Sequence, residues 1–377
     1  MISNNFNDEN FKNIVKSRND WIKNGNENYL SSDNNVNDLA NNSFNSRIVL
    51  KIRAIEYSSN NIKTLSLVSD EDGALPMFKA GQKIALTLRV DNKFITRPYH
   101  LVSTPTMATE GEYRVIISND GDPLNNYLFN YANVNDIIVS SEPFGNFYYD
   151  SIRDKKNIIA IVDNTGIAPL FSMGESIVSG DIDINLTIFY SAKRFDDFIY
   201  YNELFDLDKR TSRVKVIYVL SEELKDDCLT GFVSLDKIKP YYNDECSIFI
   251  SGNEGLLKYL DKELDELQLP KKSIRYEAFM PRCNVKKTQE YNLSIYIDDV
   301  KYETKCYNNK TIMSAIEDSG MYIPSKCHNG SCGFCKSELV KGKVKVINDK
   351  RDIALKQYNY IHPCVTYPMS DIEIIVR

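Results

Sequence analysis

Four cysteines stand at a spacing that can hold a metal cluster: Cys327-His-Asn-Gly-Ser-Cys332-Gly-Phe-Cys335, with Cys364 further along in HPCVTYP. Three close thiols and one distant one, C-x4-C-x2-C and a far Cys, match the ligation of a [2Fe–2S] cluster. Thiolates are soft, anionic donors, and four of them complete the tetrahedra of two irons bridged by sulfide. Gly330 and Gly333 let the backbone wrap closely and aim N–H groups at the sulfurs, which lowers the cost of a buried negative cluster. A structural zinc site also takes four Cys, but usually as two short-spaced pairs. His328 and His362 lie nearby in sequence. With all four Cys positions filled neither needs to ligate, and surface or supporting roles are expected of them. Cys228, Cys246, Cys283 and Cys306 are scattered and read as small buried or half-buried residues.

The rest of the chain must position this loop and supply its electrons. At 377 residues it is too long for one ordinary core, and two or three domains are expected. Its apolar share of 42% and charged share of 26% are those of a globular protein. A net charge of −6 argues against nucleic acid, whose phosphates call for a basic face. No run of about 18 apolar residues occurs, so no membrane span is expected. The start, MISNNFNDENF, lacks the basic-then-apolar pattern of a secretory signal. A cytoplasmic location is therefore expected, and a disulfide framework is not.

Residues 1–46 stand apart, because fifteen of them are Asn. Within them Phe11, Ile14, Val15, Trp21 and Ile22 fall on a helical stripe that Gly25 can cap. So short a helix is marginal alone, so it is expected to dock on something. The run SSDNNVNDLANNSFNS reads as a linker. Over 47–152 short alternating runs (IVLKIRAIEY, TLSLVS, KIALTLRV, YRVIIS, DIIVSS) are separated by turn signals, which suggests an antiparallel β-barrel. Over 153–282 apolar strands (NIIAIVD, NLTIFYSA, RVKVIYVL, CSIFISG) alternate with helical stretches, the pattern of an α/β doubly wound parallel sheet with ligands at the carboxyl ends of its strands. MPRCNVKKTQE reads as a linker, and 290–377 returns to strands and one helix before the cysteine loop.

Residues 291–377, from IPSKCHNGSCGFCKSEL to HPCVTYPMSDIEIIV, resemble a plant-type ferredoxin domain of the β-grasp fold. With the two halves upstream, about 330 of the 377 residues resemble the ferredoxin–NADP+ reductase superfamily. Within it the chain is similar to the flavin–nicotinamide–ferredoxin fusions used by oxygenase reductases and hybrid-cluster-protein reductases. The resemblance implies a flavin site on the motif R-x-Y-S/T, here Arg97-Pro98-Tyr99-His100. In the family the Arg pairs with flavin phosphate, for which a guanidinium fork is suited, and the Tyr packs on the ring. His100 stands where a hydroxyl is expected, and an imidazole can still donate an N–H and gain a charge doing so. A second phosphate contact maps to Asn125, with Tyr127 following, in GDPLNNYL; an amide also donates. A further family element, P-F-G-x-F, matches Pro143 to Phe147. FAD is the majority flavin of such proteins, and some fusions in this domain order use FMN.

The resemblance also implies an NAD(P)H site, where this sequence departs from the family. The loop A-G-G-T-G-I-A-P reads here Val162-Asp163-Asn164-Thr165-Gly166-Ile167-Ala168-Pro169. The glycines of such loops let backbone approach a pyrophosphate at a helix N-terminus. Asn and Asp tolerate positive φ best among other residues, but a carboxylate about 4 Å from a phosphate costs roughly 1 to 4 kcal/mol. The later C-G-P motif reads Ser251-Gly252-Asn253, which puts Ser251 where the family has a Cys beside the hydride-transfer position. Glu277 and Phe279 in IRYEAF fit the family pattern. Lys193 and Arg194 lie in the region that contacts the adenosine ribose.

The expectation is an oxidoreductase in which NAD(P)H, flavin and a [2Fe–2S] cluster pass electrons to a protein acceptor. Tyr99 and Ser251 would lie at the reacting ring; Arg97, Tyr99, His100, Asn125, Tyr127, Thr165, Gly166, Ser251 and Gly252 would hold the cofactors; Cys327, Cys332, Cys335 and Cys364 would hold the metal. The alternative is an electron-transfer subunit of a larger complex with a degenerate nicotinamide site and residues 1–46 as its docking arm.

Overall fold

A computed structural model of the chain describes residues 47–377 apart from 60, 71–72, 268, 271–272, 279–282, 284, 298–299, 348 and 377. The Asn-rich extension, with its expected docking helix and linker, lies outside the described residues, as does Phe279.

The first sheet has six antiparallel strands: β1 (Ile48–Ser59), β2 (Ile62–Ser69), β3 (Lys83–Val90), β4 (Lys93–His100), β5 (Glu112–Ser118) and β6 (Ile137–Ser140). Their order is β4-β3-β6-β1-β2-β5. Residues two apart, Leu50 with Ile52 and Ile84 with Leu86, are fully buried on its inner face, as strand alternation requires. The two edges, β4 and β5, meet through one bridge, Leu101 to Val115, and the Val102 N–H donates to the Arg114 carbonyl at 2.9 Å. The barrel expected from the sequence is thus a curled sheet joined at a point, without a ladder along the seam. Pro98, in register with Ala85 of β3, lacks the N–H that a second ladder needs, which confines β4 to an edge.

The second sheet is wholly parallel: β7 (Asn157–Asp163), β8 (Asn185–Ala192), β9 (Val214–Leu220), β10 (Leu229–Thr230), β11 (Cys246–Gly252) and β12 (Ile274–Ala278), in the order β10-β9-β8-β7-β11-β12. Along β7, Ile158, Ala160 and Val162 enter one apolar cluster and Ile159 and Ile161 the other. Burial on both faces is what a near-continuous apolar strand provides. The helices Ile167–Val178, Tyr201–Arg210 and Glu254–Asp265 connect its strands. The chain reverses direction across the sheet between β7 and β11, so their carboxyl ends form the crevice where such folds take ligands.

The third sheet comprises β13 (Glu290–Ile297), β14 (Val300–Tyr307), β15 (Ser337–Lys341), β17 (Tyr360–Ile361) and β19 (Ile372–Val376), with β16 (Val344–Val346) and β18 (Thr366–Pro368) as a separate pair. β13 and β19 run parallel at its centre. The helix Ile312–Asp318 covers it with Ile312, Met313 and Ile316, giving the β-grasp arrangement. Among the described residues no helix is long and apolar enough to cross a membrane.

Candidate functional site

The cysteine loop lies between the helix Ile312–Asp318 and β15, and Cys364 sits in the turn Pro363–Val365. Cys327, Cys335 and Cys364 are buried and Cys332 is half-buried. The Cys335 and Cys364 sulfurs are 3.4 Å apart, and the Cys332 N–H points at the Cys327 sulfur at 3.4 Å. Hydrogen bonds from Cys332 and then Cys364 pull Cys327 far below the ordinary thiol range. Gly330 takes φ +76°, and a Cβ there would lie 2.9 Å from Cγ2 of Val365. The donor set and the tight backbone therefore fit a four-thiolate cluster. Of the other cysteines, Cys246, Cys283 and Cys306 are buried and Cys228 is half-buried. His328 and His362 are also buried, which excludes the surface role and leaves the supporting one of the two expected for them. His328 Nε2 is 3.2 Å from Ser325 Oγ.

The R-x-Y motif lies within β4 itself. Tyr99 is 7% exposed, and its hydroxyl donates to Asn125 Oδ1 at 2.6 Å. Burial, with Asp122 nearby, raises its pKa well above that of a free phenol, so it stays protonated. The Asn125 amide nitrogen donates to Asp120 at 2.9 Å. Tyr127 rests against Tyr131, ring centres 5.9 Å apart, and packs on the apolar core of the first sheet. Arg97 donates from Nε to Asp122 at 2.7 Å and from Nη1 to the Thr96 carbonyl at 2.7 Å, and forms a fork with Glu317 at 2.9 and 3.1 Å. Burial alone would lower the Arg97 pKa; the attraction of Glu317 and Asp122 reverses the sign and raises it.

His100 is buried beside Glu277. Burial lowers its pKa to about 4, against the attraction of Glu277 at 3.8 Å. With these neighbours the imidazole is neutral near pH 7. Glu277, on β12, is claimed by Lys83 of β3 in a buried ion pair. Burial pushes the Glu277 carboxyl up, but Lys83 and His100 outweigh it and the net shift is downward.

On the second sheet, Thr165 and Gly166 lie in the turn Asn164–Gly166 that leads into the helix Ile167–Val178. A Cβ on Gly166 would lie 2.3 Å from the Ser251 carbonyl, and one on Gly252 would lie 2.4 Å from Oδ1 of Asp163. Both glycines thus serve the close approach of the two loops. Ser251 is wholly buried, and its Oγ has no hydrogen-bond partner among the described residues. Asp163 accepts a hydrogen bond from the Asn253 amide. Lys193 pairs with Glu222 at the exposed surface at 2.9 Å.

These elements meet in a cavity of about 920 Å³. Tyr99 and His100 line it from the first sheet, Asp163, Asn164 and Asn253 from the second, and Cys327 from the third. Arg97 and Asn125 border it as well, whereas Tyr127, Gly166, Ser251 and Gly252 are not among its lining residues. Sequence reasoning missed Lys83 and Glu317, whose only signal was a charge within or beside an apolar run, and Asp122, which precedes Pro123 as a helix N-cap and so reads only as a helix start.

Residues 295–369 match the family described as the 2Fe-2S iron-sulfur cluster binding domain. Residues 164–262 match the oxidoreductase NAD-binding domain. Flavohemoprotein A of Dictyostelium discoideum is 29% identical over 249 residues, 62% of this chain but only 60% of that protein, so the chain spans less than two thirds of that relative. Phthalate dioxygenase reductase of Burkholderia cepacia is 22% identical over 310 residues, 81% of this chain and 89% of that one. The solved phthalate dioxygenase reductase, described as a modular structure for electron transfer from pyridine nucleotides to [2Fe–2S], superimposes with a TM-score of 0.67 at 19% identity, covering 88% of this chain and 98% of that chain. The likeness in structure is one of fold, extending over most of both chains.

Proposed function

We propose that this chain, which is similar to the flavin–nicotinamide–ferredoxin fusion reductases of the ferredoxin–NADP+ reductase superfamily, passes electrons between NAD(P)H, a flavin and a [2Fe–2S] cluster to a protein acceptor. The matched 2Fe-2S and NAD-binding domains support this. The observation that carries this reading is the single cavity lined by Tyr99 and His100, by Asn164 and Asn253, and by the cluster ligand Cys327. Three sheets that contribute to one cavity bring donor, relay and acceptor positions together. A bound flavin supplies the chemistry that converts a two-electron hydride into single electrons.

The chain's own residues have separable tasks in this reading. Tyr99, fixed by Asn125, presents a buried phenol ring to the cofactor. His100, held neutral, offers a hydrogen bond without adding a charge. Arg97 is the phosphate-binding cation. The loops at Thr165–Gly166 and Ser251–Gly252 form the nucleotide crevice, and Cys327, Cys332, Cys335 and Cys364 bind the cluster. We assign 47–152, 153–282 and 290–377 to the flavin, nucleotide and ferredoxin modules, FAD as the flavin with FMN as the alternative, and a cytoplasmic location. Relatives whose names make them reductases of an oxygenase support a protein acceptor. Anaerobic mixing with NADH and with NADPH tests the proposal: bleaching of the flavin band with either is expected, and a band that stays oxidised with both overturns it.

Asp163 favours a second reading, in which the chain is an electron-transfer subunit that takes its electrons from a partner. Its carboxylate reaches across to Asn253 where a Gly-Gly loop would leave room for pyrophosphate. Copurification with one stoichiometric partner, lost on deletion of residues 1–45, together with no response to either nicotinamide, is the result this reading requires.

A further inference from the structure

Arg97 is the phosphate-binding candidate on the flavin sheet, yet it is also the point where the ferredoxin sheet is tied down. Glu317, in the last turn of the helix Ile312–Asp318, enters the first sheet's edge and meets the guanidinium through both carboxylate oxygens. Asp122 takes Nε, and the Thr96 carbonyl takes one N–H of Nη1. A guanidinium has five N–H donors in a fixed fork, and these partners leave a single one, on Nη2. Arg97 and Glu317 are 9% and 8% exposed, so water does not screen the pair. The neighbouring contacts between the two sheets are weaker in kind. Lys93 and Asp318 stand 3.6 Å apart at the surface, where such pairs contribute little. Phe94 and Tyr322 touch edge-on at 5.9 Å between ring centres, and both are exposed.

Charge around Arg97 does not favour a further anion. Asp122 and Glu317 bind it directly, and Asp120 stands behind Asp122, accepting from the Asp122 backbone N–H at 3.1 Å. A flavin phosphate arriving at Arg97 must displace Glu317 or sit beside it. A carboxylate about 4 Å from a phosphate weakens binding by roughly fivefold to several-hundredfold. The geometry points to Arg97 as a cation contested by two anions: Glu317, which anchors the ferredoxin module on the flavin sheet, and the flavin phosphate. Glu317 is then a positioning residue whose two effects have opposite signs. It holds the cluster-bearing module against the flavin sheet, and it loosens the flavin. Because coupling between two binding events is reciprocal, saturation with flavin must in turn loosen the module. The phosphate half of this inference rests on the flavin reading above; the anchor half does not.

The test uses the full-length protein and two readouts besides turnover. Trypsin cleavage at the exposed Lys286 and Lys287, between the second and third sheets, reports undocking, and loss of flavin absorbance after dilution and filtration reports affinity. Glu317→Gln keeps the shape and removes the charge; Asp318→Asn, next to it, is the control. Glu317→Gln is expected to release flavin about fivefold more slowly or slower still, and to be cut at the linker about tenfold faster, with iron content unchanged. A merely structural Glu317 would lower flavin retention along with docking. Flavin release in Glu317→Gln that is unchanged or faster overturns the inference, whether or not cleavage rises. In wild-type protein, added FAD to saturation is expected to speed linker cleavage, and equal cleavage with and without it also overturns the inference, even where the variant fails to fold. A wild-type preparation that takes up no flavin fails the reading under "Proposed function" instead; linker cleavage of Glu317→Gln equal to wild type would then sink the anchor as well.

Discussion

Asn253, which caps the helix Glu254–Asp265 through its side-chain oxygen, donates its amide N–H to the Asp163 carboxylate at the end of β7. The two residues close the crevice between β7 and β11 from both sides. Gly252 is required there because a Cβ would run into Oδ1 of Asp163. An acidic side chain thus fills the gap at the position where a nucleotide-binding fold of this topology takes its pyrophosphate.

Nicotinamide affinity should therefore depend on the charge of Asp163. Burial pushes its pKa up to about 6, against the hydrogen bonds from Asn253. Above pH 6 the carboxylate is charged and repels phosphate; below, it is neutral. NADH, which has no 2′-phosphate to titrate, is expected to bind more tightly as pH falls from 8 to 5.5. Asp163→Asn should bind NADH roughly fivefold to several-hundredfold more tightly at pH 8 and lose the pH dependence. Titration of both proteins across this range checks it; parallel curves would count against Asp163.

Cluster assembly should be sensitive to Gly330. Its φ of +76° is a conformation L side chains adopt reluctantly, and the added Cβ would press on Val365, next to the ligand Cys364. Gly330→Ala is expected to lower iron per chain and the visible cluster absorbance. Val365→Ala in the same background removes the contact but leaves the backbone strain, so it should restore the cluster only in part. Full retention of iron in Gly330→Ala would show that the loop has slack.

What was legible in the sequence was local. The cysteine spacing spans nine residues from Cys327 to Cys335, and strands such as NIIAIVD declare themselves by apolar continuity. The long-range pairs were not legible. Arg97 finds Glu317 across 220 residues, Lys83 finds Glu277 across 194, and Asp163 finds Asn253 across 90. No local pattern names these partners: Arg97–Glu317 and Lys83–Glu277 join different sheets, and Asp163 meets Asn253 across the neighbouring strands β7 and β11. The neutral state of His100 belongs with these, because burial and not residue type sets it.

The Lys83–Glu277 pair links β3 to β12 with both side chains over nine-tenths buried. Removing one member strands a charge, which costs about 3–5 kcal/mol, while replacing both with apolar residues is often neutral. Lys83→Met is therefore expected to destabilise strongly, and Lys83→Met with Glu277→Leu to recover most of the loss. Denaturant unfolding of the wild type, both single variants and the double variant measures the coupling. Additive losses would mean the two side chains act independently.

Acid stability should carry the signature of His100. Its folded pKa of about 4 lies below the ordinary value of 6.5, so the folded state resists the proton that the unfolded chain accepts. A depressed pKa of this kind stabilises fully above pH 6.5, and the contribution is lost as pH falls from there toward 4. At about 1.4 kcal/mol per pH unit, the wild type should lose about 2 kcal/mol from this group between pH 6.5 and 5. His100→Gln keeps a hydrogen-bond donor but does not titrate. Carboxylates other than Glu277, whose pKa His100 helps to lower, titrate alike in both proteins, so the difference between their denaturation midpoints reports the imidazole together with its effect on Glu277. The two midpoints should converge as pH falls; a constant gap from pH 7 to 4.5 would mean that His100 is solvated enough to protonate in the folded state.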